Sequence, residues 1–531
     1  MCHSGWKTHG LRALALGLVC AAAPAFALNY DGTLDTSLNP PLGAFPYLGM
    51  PGLFDYAVDL GGASPYHNYD AANAMLVQPD GKIVVVGTSW NTYNGVDQNA
   101  CVLARFNADG SEDTGFGSGG RVVENWSNTS AISCYWSSVA LQGDGKIVVA
   151  GNIEYANPSF GERALIWRYN ADGSSDMSFG GSGFLLSDVH TAFASVLVDT
   201  DGTLYAAGHR IRPTFSDNDF YLAVFDAVGN LDYTLAHPFD LGTGNDHDDR
   251  AYAQVLQHNP GPCSGNLCQA GYDELYLVGT ANNTPYNNLA NHDCAIIALR
   301  RNQGALQFTF DASFTNMGWE IIDFPVEGTG EGDNYCQAAV SRPGGGVVIG
   351  GENQFMAFNG LFSELASVYA LAEVSADGTV TTRRDGDGSL GGAAYFQSPP
   401  YQGIFNAIYG MAREPGGKLV VTGYAGTHNA NNAPSDVGVI RFNADFSRDS
   451  SFGNDGAGLA ILSLDGQNAL NTAQREWGSR LALDSRGRIV LIGERSYNIS
   501  GSNPNDYDWL IARLNNSDVI FRDGLDGVVP N

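Results

Sequence analysis

A short unit recurs along this 531-residue chain and limits the folds open to it. Its clearest copies are Leu76-Val77-Gln78-Pro79-Asp80-Gly81-Lys82-Ile83-Val84-Val85-Val86-Gly87 and Leu141-Gln142-Gly143-Asp144-Gly145-Lys146-Ile147-Val148-Val149-Ala150-Gly151. Asp-Gly between runs of β-branched residues is a strong short-range signal for a hairpin. Weaker copies place the closing glycines at 87, 151, 208, 279, 351, 423 and 493, with spacings of 64, 57, 71, 72, 72 and 70 residues.

A third strand and a second turn follow each glycine. Ala104-Arg105-Phe106-Asn107-Ala108-Asp109-Gly110 recurs as Trp167-Arg168-Tyr169-Asn170-Ala171-Asp172-Gly173 and as Ile440-Arg441-Phe442-Asn443-Ala444-Asp445. Phe116-Gly117, Phe179-Gly180 and Phe452-Gly453 come next, then a short apolar run such as Gly120-Arg121-Val122-Val123, read as a fourth strand. Four antiparallel strands repeated at this period predict an all-β chain, a single seven-bladed β-propeller of four-stranded antiparallel blades. Composition agrees: 67 Gly and 21 Pro interrupt the chain too often for long helices, and 44% hydrophobic residues suffice for a large core. The last copy, ending near Asn515, lacks its turn and fourth strand, whereas Asn29-Tyr30-Asp31-Gly32-Thr33-Leu34-Asp35 and the apolar run from Leu53 to Leu60 carry that missing half. The N-terminal segment is therefore expected to close the ring by supplying the outer strand of the last blade.

The first 27 residues read as a secretory signal peptide. Lys7 and Arg12 precede an apolar run from Ala13 to Ala23, and two small-x-small sites follow, with cleavage expected after Ala27. Val19 before Cys20 argues against a lipoprotein signal. The domains are then the signal peptide (1–27), the propeller (28–519) and a short tail (520–531), and the protein is expected to be secreted or periplasmic, without membrane insertion. Removing Cys2 and Cys20 leaves six cysteines, an even number suited to an oxidising compartment. Of fifteen pairings, spacing and repeat position favour Cys101–Cys134, Cys263–Cys268 and Cys294–Cys336.

The units "QPDGKIVVVG … ACVLARFNADGSEDTGFGSGG" resemble the delta-60 repeats of bacterial secreted proteins, a β-propeller family of unknown function. The resemblance covers nearly the whole mature chain and is strongest in units one, two and six. It implies a propeller and no activity.

A formal charge of −29 argues against nucleic acid as a partner. The pattern Asn-x-Asp-Gly-x-x-Asp, at Asn107/Asp109/Gly110/Asp113 and Asn170/Asp172/Gly173/Asp176, resembles a calcium loop, but Arg105, Arg168 and Arg441 stand where the first oxygen ligand belongs. Turn chemistry plus an Arg–Asp pair is the expectation, with calcium the lesser alternative and no other cofactor or metal. An acid or amide opens several third strands (Asn99, Asp219, Asp293, Asp436, Asp508) and reads as turn bonding. Asp246-His247-Asp248-Asp249 reads as an exposed loop. No G-x-S-x-G or H-E-x-x-H occurs, and no catalytic residue is assigned.

Both Asp-Gly turns of a blade fall on one face, so the long connections gather on the other. They are rich in Asn and Gly and carry Trp90, Tyr93, Tyr155, Phe215, Tyr286, Phe358, Tyr424 and Tyr497, the candidate ligand-binding residues. Such loops on a rigid scaffold suit adaptable binding, though the aromatics can equally pack the connections down. The reading is a monomeric, noncatalytic binding scaffold presenting this face to a glycan or to an envelope or extracellular protein. The alternative is a carbohydrate-active hydrolase or lyase with acids on the same face.

Overall fold

The computed structural model describes residues 31–38, 49–60, 69–93, 96–126, 131–155, 161–212, 217–239, 241, 248–260, 263–264, 267–268, 271–282, 292–302, 305, 307–324, 333–358, 363–385, 404–405, 407–426, 435–453, 458–463, 475–499 and 503–516. The expected signal peptide and the tail lie outside these residues.

The chain is all-β, built from successive four-stranded antiparallel groups. The first runs Asp70–Val77, Ile83–Tyr93, Val96–Phe106 and Arg121–Glu124. The second is Ala131–Leu141, Ile147–Tyr155, Glu162–Tyr169 and Phe184–Val189. The third is Thr191–Val198, Leu204–Arg212, Asp217–Phe225 and Leu231–His237. The fourth is Arg250–Asn259, Tyr272–Asn282 and His292–Asn302, whose last strand pairs with both Thr309–Phe310 and Trp319–Ile322. The fifth is Asp333–Ser341, Gly346–Phe358, Ser363–Ser375 and Val380–Asp385. The sixth is Gly410–Arg413, Leu419–Gly426, Ser435–Phe442 and Leu459–Leu462. Arg475–Leu483, Ile489–Ile499 and Asn503–Leu514 follow, and Leu53–Tyr56 from the other end of the chain pairs antiparallel with Asn503–Leu514.

The Asp-Gly hairpins form with one refinement. Gln78 N–H donates to Lys82 O and Gly81 sits at φ +87, so the loop is the three-residue type with a left-handed glycine. The runs after the turns are apolar at every position because each group is covered on both faces. Ile83, Val84, Val85 and Val86 are all fully buried. One cluster packs Val84 and Leu103 against Trp136, Val149 and Leu165 of the second group. Equivalent clusters join each group to the next, and another joins Val490, Ile492, Trp509 and Ile511 to Val85, Val102 and Phe106 of the first group. Each fully buried Val or Ile contributes about 1.5–3 kcal/mol relative to exposure, so these shared cores bind neighbours more than any polar contact does.

The second motif works between neighbours. Arg105 Nε pairs with Asp113 at 2.7 Å, Arg168 with Asp176 at 2.8 Å and Arg441 with Asp449 at 2.7 Å. Each guanidinium lies over the following aromatic ring, Phe116, Phe179 or Phe452, at 4.3, 4.5 and 5.0 Å. Arg105 Nη1 also donates to Ala171 O of the next group at 2.6 Å. The calcium-like pattern is thus turn chemistry around an arginine, as the sequence suggests: Asp109 and Asp172 cap their own turns through Ser111 and Ser174.

Disulfides Cys101–Cys134 and Cys294–Cys336 link the third strand of one group to the first strand of the next. Cys263 and Cys268 stand opposite each other in a two-stranded hairpin. No helix among the described residues is long and apolar enough to cross a membrane.

Candidate functional site

The closing glycines explain where the site lies. A Cβ on Gly87 would meet Ala71 O at 1.8 Å, and Gly151, Gly208, Gly279, Gly351 and Gly493 face the carbonyls of Tyr135, Ala192, Arg250, Tyr335 and Trp477 at 1.8–2.0 Å. Glycine is required because the first strand of six groups bulges there, between Ala72 and Ala74, Trp136 and Ser138, Phe193 and Ser195, Ala251 and Ala253, Cys336 and Ala338, and Gly478 and Arg480. A bulge re-aims the extra side chain. Those residues are Asn73, Ser137, Ala194, Tyr252, Gln337 and Ser479, and every one lines a single cavity of about 630 Å³. Tyr409, fourteen residues before Gly423, completes the set.

The wall is polar and unequal. Glu154 and Glu162 are cross-strand partners at the end of the second group's hairpin. Glu162 is hydrogen-bonded to His209, Oε1 to Nε2 2.7 Å, and accepts from Asn152 Nδ2 at 3.3 Å. Asn152 and His209 each follow a closing glycine, which points both inward. Glu154 accepts from Tyr135 OH at 3.5 Å, which itself accepts from Asn99 Nδ2 at 2.9 Å. Burial raises the Glu154 pKa, and the Glu162 charge raises it further. Burial opposes ionisation of Glu162 too, but the His209 hydrogen bond and the charges of His209, Arg250 and His190 hold its pKa below the ordinary value. Arg250 is paired with Asp248 at 2.7 Å. Arg480 donates from Nη1 to Tyr409 O at 2.6 Å and Ser479 O at 2.8 Å. Aromatic surface comes from Tyr135, Phe193, Tyr252, Tyr409 and Trp477.

Of the eight aromatics expected to bind ligand, the three with described side chains, Trp90, Tyr155 and Tyr424, are not among the lining residues. Tyr424 stands one layer behind, stacked on Tyr409 at 6.1 Å and donating to Glu352 at 3.1 Å. Tyr155 lies under Arg163, 5.6 Å from its guanidinium, and Trp90 is half-buried at a strand end. The side chains of Tyr93, Phe358 and Tyr497 and the whole of Phe215 and Tyr286 lie outside the described residues. Of the residues opening the third strands, Asp219 pairs with Arg212 at 3.2 Å and Asp293 accepts from Asn334 at 3.4 Å. The acidic cluster read as an exposed loop is different at its end: Asp249 is fully buried, accepting from Phe239 N and Asn282 N, because it ties two connections together. Among the described residues no three His, Cys, Asp or Glu side chains gather to hold a metal ion.

Residues 78–116, 142–179 and 415–452 match a family described as "Domain of unknown function (DUF5122) beta-propeller", which supports a β-propeller family for this chain. No curated protein matches the sequence. Among solved structures the chain is similar to the β-propeller domain of the Trilobed protease from Pyrococcus furiosus (9% identity, 83% of this chain and 98% of that one, TM-score 0.34). It is also similar to levansucrase from Bacillus subtilis (11% identity, 62% and 89%, TM-score 0.28) and to a GH32 β-fructofuranosidase from Bombyx mori (10% identity, 88% and 91%, TM-score 0.30).

Proposed function

We propose that residues 28–519 form one seven-bladed propeller, closed by the N-terminal segment, which is exported after cleavage at Ala27 and works as a noncatalytic, monomeric glycan-binding protein. The cyclic series of shared cores and the pairing of Leu53–Tyr56 with Asn503–Leu514 support the ring. The two disulfides fit an oxidising, extracellular setting. The observation that carries the binding reading is the cavity: first strands from along the chain converge on it, six of them through a bulge that delivers one side chain. Its amides, hydroxyls and aromatic faces suit a saccharide, which needs many directional hydrogen bonds and a stacking surface. Glu154 and Glu162 lie at the ends of the second group's hairpin strands, which supports a mouth on the side of the long connections. The purified mature protein is expected to retain specific glycans on an array, and Tyr252→Ala is expected to abolish retention while leaving the melting temperature within a few degrees. Retention of none, or undiminished retention by the variant, would remove the cavity as the binding site.

One observation favours an enzyme as the second reading. Glu154 and Glu162 are adjacent carboxyls with pKa values pushed apart, the arrangement an acid–base pair requires. Turnover of a glycan ligand that is lost in both Glu154→Gln and Glu162→Gln would establish it; bound ligand recovered intact would exclude it.

A further inference from the structure

Arg480 breaks the rule that its own repeat obeys. In the other groups the residue just after the bulge is Ala74, Ser138, Ser195, Ala253 or Ala338, and the residue after the cavity-lining Tyr409 is Gly410. It is small wherever first strands converge, and a Cβ on Gly410 would already lie 2.8 Å from the Arg480 Cα. A guanidinium in that register is the most costly substitution the repeat offers, since it takes a charge into a confined space. Local rules broken in this way mark functional positions.

The surroundings do not neutralise it. Arg105, Arg168, Arg441 and Arg513 each close on an aspartate. Arg480 instead has two main-chain carbonyls on Nη1 and no carboxylate partner among the described residues. Burial pulls its pKa down. The two carbonyls anchor one nitrogen and fix the plane of the group, while Nε and Nη2 donate to no described residue. That leaves the edge of the fork that receives a planar carboxylate through two parallel hydrogen bonds.

We propose that the cavity selects a saccharide carrying a carboxylate, a hexuronic acid unit, and that Arg480 is the residue that seats that carboxylate. The inference rests on the reading that the cavity binds sugar. The rest of the wall complements such a unit: Glu162, Asn152 and Asn73 accept or donate to hydroxyls, and Trp477, Tyr252 and Tyr409 offer ring faces. Glu154 and Glu162 add negative charge to the same wall, which disfavours doubly charged phosphate and sulfate esters relative to a single carboxylate.

The test is titration of the mature protein, followed by calorimetry and Trp477 fluorescence, with glucuronate and galacturonate, their methyl esters, glucose and galactose, and open-chain gluconate. Uronates are expected to bind at least tenfold tighter than the esters and neutral sugars. Arg480→Gln is expected to weaken uronate binding about 30-fold or more and neutral sugars far less, so that the preference for the acid over its ester is lost, and Arg480→Lys is expected to fall between. Equal affinity for acids and esters in the unaltered protein would overturn the role of Arg480 while leaving the sugar reading intact. Binding of neither class would overturn both. Gluconate binding as tightly as glucuronate would overturn the assignment to a saccharide. The ester comparison needs no variant, so the proposal stays open to refutation even where Arg480→Gln fails to fold.

Discussion

Asp35 and Arg513 form an ion pair at 2.8 Å across a sequence separation of 478 residues. The contact repeats what Asp113 does for Arg105, Asp176 for Arg168 and Asp449 for Arg441, each eight residues apart. Ser37 serves Asp35 as Ser178 serves Asp176, donating to Oδ1 at 2.8 Å and 2.6 Å. Arg513 Nη1 then reaches Ala108 O at 2.6 Å, as Arg105 reaches Ala171. Residues near the two ends of the described chain thus meet through the same bonds that Arg105, Arg168 and Arg441 make within their own repeats.

These contacts give the segment around Asp35 a structural role. Arg513 is almost fully buried, so removing its partner strands a charge. Asp35→Ala is expected to cost about 3 kcal/mol in denaturant unfolding, and deletion of residues 28–60 is expected to give an aggregating or unfolded product. Asp35 and Asp449 both have lowered pKa values, burial being outweighed by hydrogen bonds and arginine charge. Their stabilisation is present above the unfolded value near pH 4 and is lost as pH falls through the lower folded value. A deletion variant that melts like the full protein would refute the closure.

Gly151→Ala is expected to be among the most damaging single substitutions, costing about 4 kcal/mol or more, because its Cβ would sit 1.8 Å from Tyr135 O. Gly143→Ala, with nothing within 4 Å, is the control and is expected to stay within about 0.5 kcal/mol. Similar melting temperatures for the two would show that the bulge relaxes without loss.

Asp70 is buried and accepts from Val58 N at 2.7 Å and Asp59 N at 3.2 Å. Burial lifts its pKa to about 7, and burial together with the Asp70 charge lifts Glu494 to about 8. Both bind protons more tightly folded than unfolded, so their contribution to stability falls as pH rises from about 4 towards 8, by up to about 1.4 kcal/mol per pH unit for each group. Asp70→Asn keeps an acceptor and removes the titration. It is expected to gain on the parent protein between pH 5 and pH 8 in urea unfolding; parallel curves would show that the pair does not titrate in this range.

Each described disulfide closes a loop between neighbouring groups, of 33 and 42 residues. Replacing Cys101 and Cys134 together by Ser is expected to cost about 3.7 kcal/mol in the chain-entropy account. Calcium or chelator is expected to leave the melting temperature unchanged, since Arg105, Arg168 and Arg441 pair with the aspartates a metal would need. A rise of several degrees with calcium would contradict this.

Period, turn type and strand order were legible in the sequence because they are local: Asp-Gly needs a left-handed glycine, and a sheet covered on both faces needs Ile-Val-Val-Val. The arginine–aspartate pair was legible for the same reason, at a separation of eight residues. The closing glycines also carried a signal that went unread. Counting back fourteen residues from each gives the cavity-lining side chain in every copy except the fourth, where the connection between Asn259 and Tyr272 lengthens the interval to Tyr252. The spacing records a bulge, but only the fold shows that the bulges meet. Aromatic content pointed to the connections, where Tyr424 packs behind Tyr409. Glu162 beside His209, and Arg480 without a carboxylate, lie in different repeat units, and nothing local relates them. Their proximity is a product of the tertiary fold, which brings first strands of different repeat units to one cavity.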